Sequence, residues 1–358
     1  MKGIYIHIPY CAKRCAYCSF VSGAPHESMP FYVKALIKEM SERLTVGEEI
    51  STIYIGGGTP SVLYRGAISE IIAFIRNRCA VSPTAEITVE CNPDSVSKEF
   101  VDEIVGAGVN RVSIGLQTDN DELLKTINRP HDRQGFLRAY AELSKIKNKS
   151  VDLMLGLPGQ TKEDLRSSLA LVVSLNAPHI SLYALKVEEG TLLYNSGFSV
   201  DEDFEADLYE IAYEFLTKNG YNRYEVSNFC LDDNYSRHNF AYWDMVDYYG
   251  FGVSAHSYLD GKRIANDDNI NKYILGNCDV EITDVSADKA QEYIMLSLRT
   301  SVGLNLNRLL SYGVDLIKEK GKKVDELIEN GFLVRKGDNL VLSEGAYYIM
   351  NSIICSLM

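Results

Sequence analysis

The sequence predicts an α/β protein: a partial (β/α)6 barrel followed by a small C-terminal α+β domain shaped like a winged helix. Three observations carry that prediction. A strand–loop–helix unit recurs six times in the first half of the 358 residues. Polar residues gather where those strands end. Past about residue 195 the unit gives way to irregular aromatic segments, and then to helices with a hairpin.

Short apolar runs mark the strands: Gly3–Ile8, Thr52–Ile55, Glu86–Glu90, Arg111–Gly115, Val151–Leu155 and His179–Tyr183. Between them stand stretches with helical spacing of apolar residues, such as FYVKALIKEMSERL, YRGAISEIIAFIRNRC and KEDLRSSLALVVSL. Thr161 with Asp164 makes an N-terminal capping pair for the last of these. Strands alternating with helices imply parallel pairing through right-handed crossovers. Six units suggest a closed or partly closed, TIM-like barrel, with a doubly wound open sheet as the alternative. In such barrels the site forms at the carboxyl ends of the strands. There this chain carries the cysteines after strand one and Gly56-Gly57-Gly58-Thr59-Pro60 after strand two. Glu90 and Asn92 close strand three, Gln117 closes strand four, and Asp152 stands in strand five.

The expected division is 1–195 for the barrel core, 196–286 for an extension and 287–358 for the C-terminal domain. A helix spans Phe204–Lys218, and a loop-rich aromatic region runs from Tyr221 to Tyr258. QEYIMLSLRT and KKVDELIEN read as helices. FLVRKGDNLVL reads as a hairpin turning at Gly337-Asp338-Asn339, and SEGAYYIMNSIICSLM as a last helix.

With 46% hydrophobic and 24% charged residues the composition is that of a globular protein. No apolar run is long enough to span a membrane. The first residues lack the pattern of a signal peptide, so the expected location is the cytoplasm. A formal charge of −13 argues against nucleic acid as a partner. The lysines between Lys318 and Lys323 read as a solvated surface.

Of eight cysteines, three crowd into CAKRCAYC, at positions i, i+4 and i+7. One face of a helix with three buried thiols would share that spacing. Pro9, the strand just before, and the neighbours Lys13, Arg14 and Tyr17 favour a metal-binding loop instead. Three thiolates can hold three irons of a cubane cluster and leave the fourth open, and no fourth cysteine is near, position 20 being Phe20. Cys79, Cys91, Cys230, Cys278 and Cys355 are scattered and read as small buried hydrophobes.

C-x-x-x-C-x-x-C after the first strand of a βα barrel resembles the radical S-adenosylmethionine superfamily. The resemblance implies a [4Fe–4S] cluster on Cys11, Cys15 and Cys18. Its open iron takes the amino and carboxylate groups of S-adenosylmethionine, which reduction cleaves to a 5′-deoxyadenosyl radical. GGGTP, ECNPD, GLQ and DLMLGLPGQT stand in the order seen in the branch containing oxygen-independent coproporphyrinogen oxidase. By that resemblance Gly57, Gly58, Thr59, Tyr5, Tyr17, Glu90, Gln117, Arg129, Asp152 and Ala184 become cofactor-pocket residues. Taken singly, an isolated Glu or Gln at a strand end is an ordinary hydrogen-bonding loop residue.

The string H-N-x-x-Y-W at His238, Asn239, Tyr242 and Trp243 is similar to a motif of the radical-SAM haem chaperones, the HemW group. That resemblance makes His238 a candidate haem ligand, although a lone histidine beside aromatic rings is commonly a packed, hydrogen-bonded residue. The string G-F-G-V-S-A from Gly250 lacks the strand–helix setting of a dinucleotide fingerprint and reads as a tight turn. His256 has no assigned role.

Three functions follow as expectations: a haem chaperone that binds haem and delivers it to client haemoproteins, a coproporphyrinogen oxidase that decarboxylates propionates, or a radical methyltransferase or haem-processing enzyme. The first is favoured. In the oxidases a longer segment precedes the cysteine loop, and a further cysteine stands where this chain has Phe20. Whether the scaffold also acts as an enzyme stays open. A peripheral contact with membrane-bound acceptors and a homodimer are compatible with the chaperone reading.

Overall fold

The structure is a computed structural model that describes every residue except 25, 26 and 278. Cys278, one of the scattered cysteines, therefore lies outside the described residues.

Six strands lie side by side in sequence order, all parallel: β1 (Lys2–Ile8), β2 (Glu49–Gly57), β3 (Ala80–Cys91), β4 (Arg111–Gln117), β5 (Asn148–Leu155) and β6 (His179–Ala184). The barrel does not close, because each outer edge is taken by later chain. On one side β7 (Asn222–Arg223) and β8 (Asn228–Cys230) follow, with β8 antiparallel to β6. On the other, β9 (Tyr248–Phe251) runs parallel to β1. Beyond it lie β10 (His256–Leu259), β11 (Lys262–Asn266) and β12 (Val280–Asp284).

Strict alternation along the strands sorts side chains between two layers. Ile4, Ile6, Ile8, Ile53, Ile55, Ile87, Val89, Val112, Ile114, Val151, Leu153, Ile180 and Leu182 are buried in the main core, with Leu36, Ile71, Ile104, Phe136 and Leu169 of the outer helices. Those helices include Met29–Arg43, Ala67–Arg78, Lys98–Gly106, Arg133–Glu142 and Lys162–Ser174. Each such side chain contributes roughly 1.5–3 kcal/mol on burial. The alternate positions, Tyr5, Tyr54, Glu90, Ser113, Asp152 and Tyr183, face inward and make the barrel interior polar and aromatic. Thr161 and Asp164 form the reciprocal capping box at the start of Lys162–Ser174.

The aromatic region is more ordered than its sequence suggests. Helix Arg237–Trp243 plugs the amino-terminal end of the barrel. There Glu86 accepts hydrogen bonds from Arg237 N (3.1 Å) and His238 N (2.9 Å). Buried Arg111 lies 3.8 Å from the same carboxylate and donates to Ser150 Oγ and to the carbonyls of Asn234 and Tyr235. Gly250 belongs to β9 rather than to a turn. A Cβ there would collide with the backbone of His256, so the close return of β10 requires glycine, and the turn follows at residues 252–255.

The C-terminal segment has its own core of Ile294, Leu298, Leu309, Val324, Leu340 and Ile354. Helices Lys289–Ser297, Leu306–Ser311 and Leu316–Glu329 precede the hairpin of β14 (Leu333–Lys336) and β15 (Asn339–Leu342). A short strand, β13 (Leu304–Asn305), pairs with β15. β13 and helix Leu306–Ser311 were not foreseen. The last expected helix is a 3-10 turn (Glu344–Ile349) followed by a helix at Met350–Leu357. Of the scattered cysteines, Cys79, Cys91 and Cys230 are buried as expected. Cys355 is exposed, because it stands on the outer face of that last helix.

Candidate functional site

The cysteine loop is held above the carboxyl ends of the strands by backbone bonds to three distant segments. Ala16 N donates to Ile127 O (2.9 Å), Leu193 N to Ala16 O (3.0 Å), and Cys11 N to Gly23 O (3.0 Å). A small apolar cluster of Ala16, Leu124, Ile127, Met154, Leu157, Leu185 and Leu193 packs beneath it. The loop is thereby fixed as a rim over the barrel mouth.

Below this rim lies a cavity of about 480 Å³. Cys11, Cys15, Cys18, Tyr17, Gly57, Gly58, Thr59, Glu90, Gln117, Arg129, Asp152 and Ala184 all line it. Gln117 ends β4 with φ of 68°, a left-handed turn of the backbone at the strand end. Tyr5 lies instead on a second cavity of about 400 Å³, beside Glu225, Ser227, Asn228, Asn239, Tyr242, Trp243 and Leu296. Tyr54, Glu90 and Tyr183 form the wall between the two. Tyr5 holds His7 Nδ1 through its hydroxyl at 3.0 Å.

His238 lines neither cavity. It is 1% exposed, with Nδ1 bonded to Thr52 Oγ1 (2.8 Å) and Nε2 to the Tyr242 hydroxyl (2.7 Å). Burial pushes its pKa down to about 3, so the ring is neutral. The rest of its motif does reach a cavity, since Asn239, Tyr242 and Trp243 wall the second one.

The thiols have polar company. Thr59 Oγ1 lies 3.4 Å from Cys11 Sγ, and Arg129 Nη1 lies 3.4 Å from Cys15 Sγ. Arg129 also donates to Asn92 Oδ1 and Gly115 O, both at 2.9 Å, and Asn92 Nδ2 donates to Thr59 Oγ1 at 2.9 Å. Burial pushes the Cys11 and Cys18 thiols up. Among the described residues no three His, Cys, Asp or Glu side chains converge on one ion. A cubane distributes its three thiolates over three different irons, so it asks for thiols around one cavity rather than around one point. The loop meets that demand.

Two buried carboxyls face the cavity. Burial raises Glu90 to about 7, against the opposing pull of its hydrogen bond from Tyr54 OH (2.6 Å); Gly57 N also donates to it (3.1 Å). Burial likewise raises Asp152 to about 6, tempered by bonds from Ser181 and Ser113. Gly57 and Gly58 leave bare backbone here: a Cβ would stand 2.6 Å from the His7 ring at the first and 2.7 Å from Tyr10 O at the second. A guanidinium, two carboxyls and open peptide groups around one cavity suit a zwitterionic amino-acid cofactor bearing hydroxyls, as S-adenosylmethionine is.

Sequence reasoning missed Tyr54, Ser113 and Tyr183 as site residues, and it noted Asn92 at a strand end without assigning it. For the first three the available signal was alternation, because each stands one position from a buried aliphatic residue of a strand.

The sequence pattern of the Radical SAM superfamily matches residues 5–172, and that of the HemN C-terminal domain matches residues 286–349. The chain is 34% identical to the haem chaperone HemW of Lactococcus lactis, covering 98% of this chain and 95% of the relative. It is 34% identical to that of Escherichia coli over 98% and 96%, and 34% identical to that of Bacillus subtilis over 93% of each. Among solved structures it resembles coproporphyrinogen III oxidase (HemN) from Escherichia coli, a radical SAM enzyme. The TM-score is 0.86 at 20% identity, over 99% of this chain and 90% of that one, which is a likeness of fold. Three thiols on one rim, an open α/β barrel beneath them and similarity to HemW over nearly the whole length lead to one assignment: the chain belongs to the HemW haem chaperone family of the radical SAM superfamily.

Proposed function

We propose that this protein is a haem chaperone that carries a [4Fe–4S] cluster on Cys11, Cys15 and Cys18, holds S-adenosylmethionine against it, binds haem and delivers it to haemoproteins. The near full-length similarity to HemW chaperones carries this reading. In it, 1–195 is the cofactor-binding core, 196–286 supplies the aromatic cavity, and 287–358 closes that cavity with Leu296.

The cluster, when bound, would supply a one-electron donor for reduction of the cofactor. In this reading Arg129 would pair with the cofactor carboxylate, and Glu90 and Asp152 would accept from its ammonium and hydroxyl groups, since all three line the cavity. Glycines 57 and 58 let the backbone come within contact of it.

Haem is assigned to the second cavity. Tyr5, Tyr54, Tyr183, Tyr242 and Trp243 offer flat faces suited to a macrocycle. Glu225 and Asn228 line it as buried polar groups, and among the described residues no lysine or arginine does so. The propionates of a bound haem would therefore point out of the cavity toward solvent. Phe20, 61% exposed on the rim, puts an apolar ring where the oxidases are expected to carry a further cysteine. No helix among the described residues is long and apolar enough to cross a membrane.

The test is a haem titration of the anaerobically reconstituted protein, followed by absorption. Saturation near about one haem per chain is expected, weakened roughly tenfold in Trp243→Ala, a loss of about 1.4 kcal/mol. Turnover of coproporphyrinogen at catalytic rates would establish the oxidase instead.

A further inference from the structure

We propose that His238 is a positioning residue of the cofactor pocket, which holds Tyr54 and through it Glu90, and that it is not an axial ligand of haem. The pocket role rests on the reading of the first cavity as the S-adenosylmethionine site.

A neutral imidazole has one N–H and one lone pair, and an axial ligand must present that lone pair to the metal. Here both nitrogens are engaged inside the protein, by Thr52 of β2 and by Tyr242 four residues along its own helix. The backbone N of His238 is engaged as well, by Glu86. Gly3 leaves room for the ring: a Cβ there would stand 3.3 Å from His238 Cε1. The site is built around the imidazole from β1, β2, β3 and the plug helix.

What the ring supports is Tyr54. The two rings stack with centroids 5.2 Å apart and planes 25° from parallel. Tyr54 then donates to Glu90 Oε1 at 2.6 Å, and Glu90 Oε2 accepts from Gly57 N at 3.1 Å. A continuous strut thus runs from the floor of the barrel to the glycine loop. Tyr54 and Glu90 both stand in the wall between the two cavities. Loss of the imidazole frees Tyr54 to drop into the space beneath it, and Glu90 loses its donor.

The experiment measures S-adenosylmethionine affinity of the reconstituted protein for the wild type, His238→Ala, His238→Gln, Tyr54→Phe and the double variant His238→Ala/Tyr54→Phe, with haem titrated in parallel. His238→Ala and Tyr54→Phe are each expected to weaken the cofactor about tenfold, and the double variant no more than the weaker single, because both cut one strut. His238→Gln, whose amide can both donate and accept, is expected to recover most of the loss. Haem affinity is expected to change less than about threefold in His238→Gln.

Unchanged cofactor affinity in His238→Ala, additive losses in the double variant, or loss of haem binding with the cofactor site intact each overturns the proposal. Should His238→Ala not fold, Thr52→Val removes one partner without emptying the site. A loss of about threefold is expected there, and no loss overturns the strut. A wild type that binds haem but no S-adenosylmethionine would refute the cofactor reading, and the positioning role with it.

Discussion

At Gly58 a Cβ would meet Tyr10 O at 2.7 Å, Ile8 O at 2.8 Å and Tyr10 N at 3.0 Å, all backbone atoms that no side-chain rotation can move. The same backbone is bonded across the gap, with Gly58 N donating to Ile8 O (2.8 Å) and Thr59 N to Tyr10 O (2.7 Å). The glycine loop is thus zipped to the residues that lead into Cys11. Gly58→Ala must open this contact, and we expect it to cost about 2–3 kcal/mol in equilibrium urea denaturation and to lower cluster yield on reconstitution. Gly106 ends its helix with nothing within 4 Å of a Cβ. Gly106→Ala is expected to leave stability unchanged or raise it by about 0.5 kcal/mol. Both the cysteine triplet and this glycine run were legible in the sequence, because each encodes a local demand: thiol spacing in one case, backbone approach in the other. The setting of His238 was not. Thr52, which holds its Nδ1, is 186 positions away, and no motif records a partner that distant.

The plug helix Arg237–Trp243 depends on a charge buried beneath it. Glu86 is 4% exposed, caps the helix through two backbone N–H groups and balances Arg111, which is 1% exposed. A carboxylate at a helix N-terminus also opposes the positive end of the helix dipole. Glu86→Ala leaves the guanidinium of Arg111 buried without its anion, and a loss of about 3–5 kcal/mol is expected by denaturant titration. Adding Arg111→Met should return part of it, since removal of both charges ends the imbalance. A double variant worse than Glu86→Ala would show that Arg111 is satisfied by the carbonyls of Asn234 and Tyr235 alone. At this scale the sequence revealed the six strands as apolar runs and the helices by their period. It also showed Glu90 and Asp152, but Tyr54, Ser113 and Tyr183, which complete the lining of the barrel interior, passed as ordinary strand residues. β7, β13 and helix Leu306–Ser311 were illegible for a different reason: two to six residues are too few to display a period, and their place is set by what they pack against.

Across the whole molecule, the seam between barrel and C-terminal segment decides how the second cavity is closed. Arg223 reaches Glu344 at 2.5 Å and stacks its guanidinium 3.4 Å from the centroid of the Tyr347 ring. Ser301 N donates to Tyr224 O at 2.9 Å, and Glu225 forms an isolated antiparallel bridge with Thr300. Glu225 is fully buried at this seam. Its Oε2 accepts from Ser227 N at 3.2 Å, and the residue lines the second cavity. Burial raises its carboxyl to about 7, against the opposing pull of Ser227, Asn228 and Arg223. Because the folded pKa lies above that of the unfolded chain, the folded state keeps a proton that the unfolded state has lost between about pH 4.5 and 7. Stability from this group is therefore present at low pH and declines as pH rises through 7. Glu225→Gln cannot ionise and escapes the decline. It should match the wild type within about 0.5 kcal/mol at pH 5 and exceed it by about 1–3 kcal/mol at pH 8, as measured by urea titration at both values. Equal gains at the two pH values would mean that the carboxyl is already ionised at pH 5, and that something else at the seam compensates its charge.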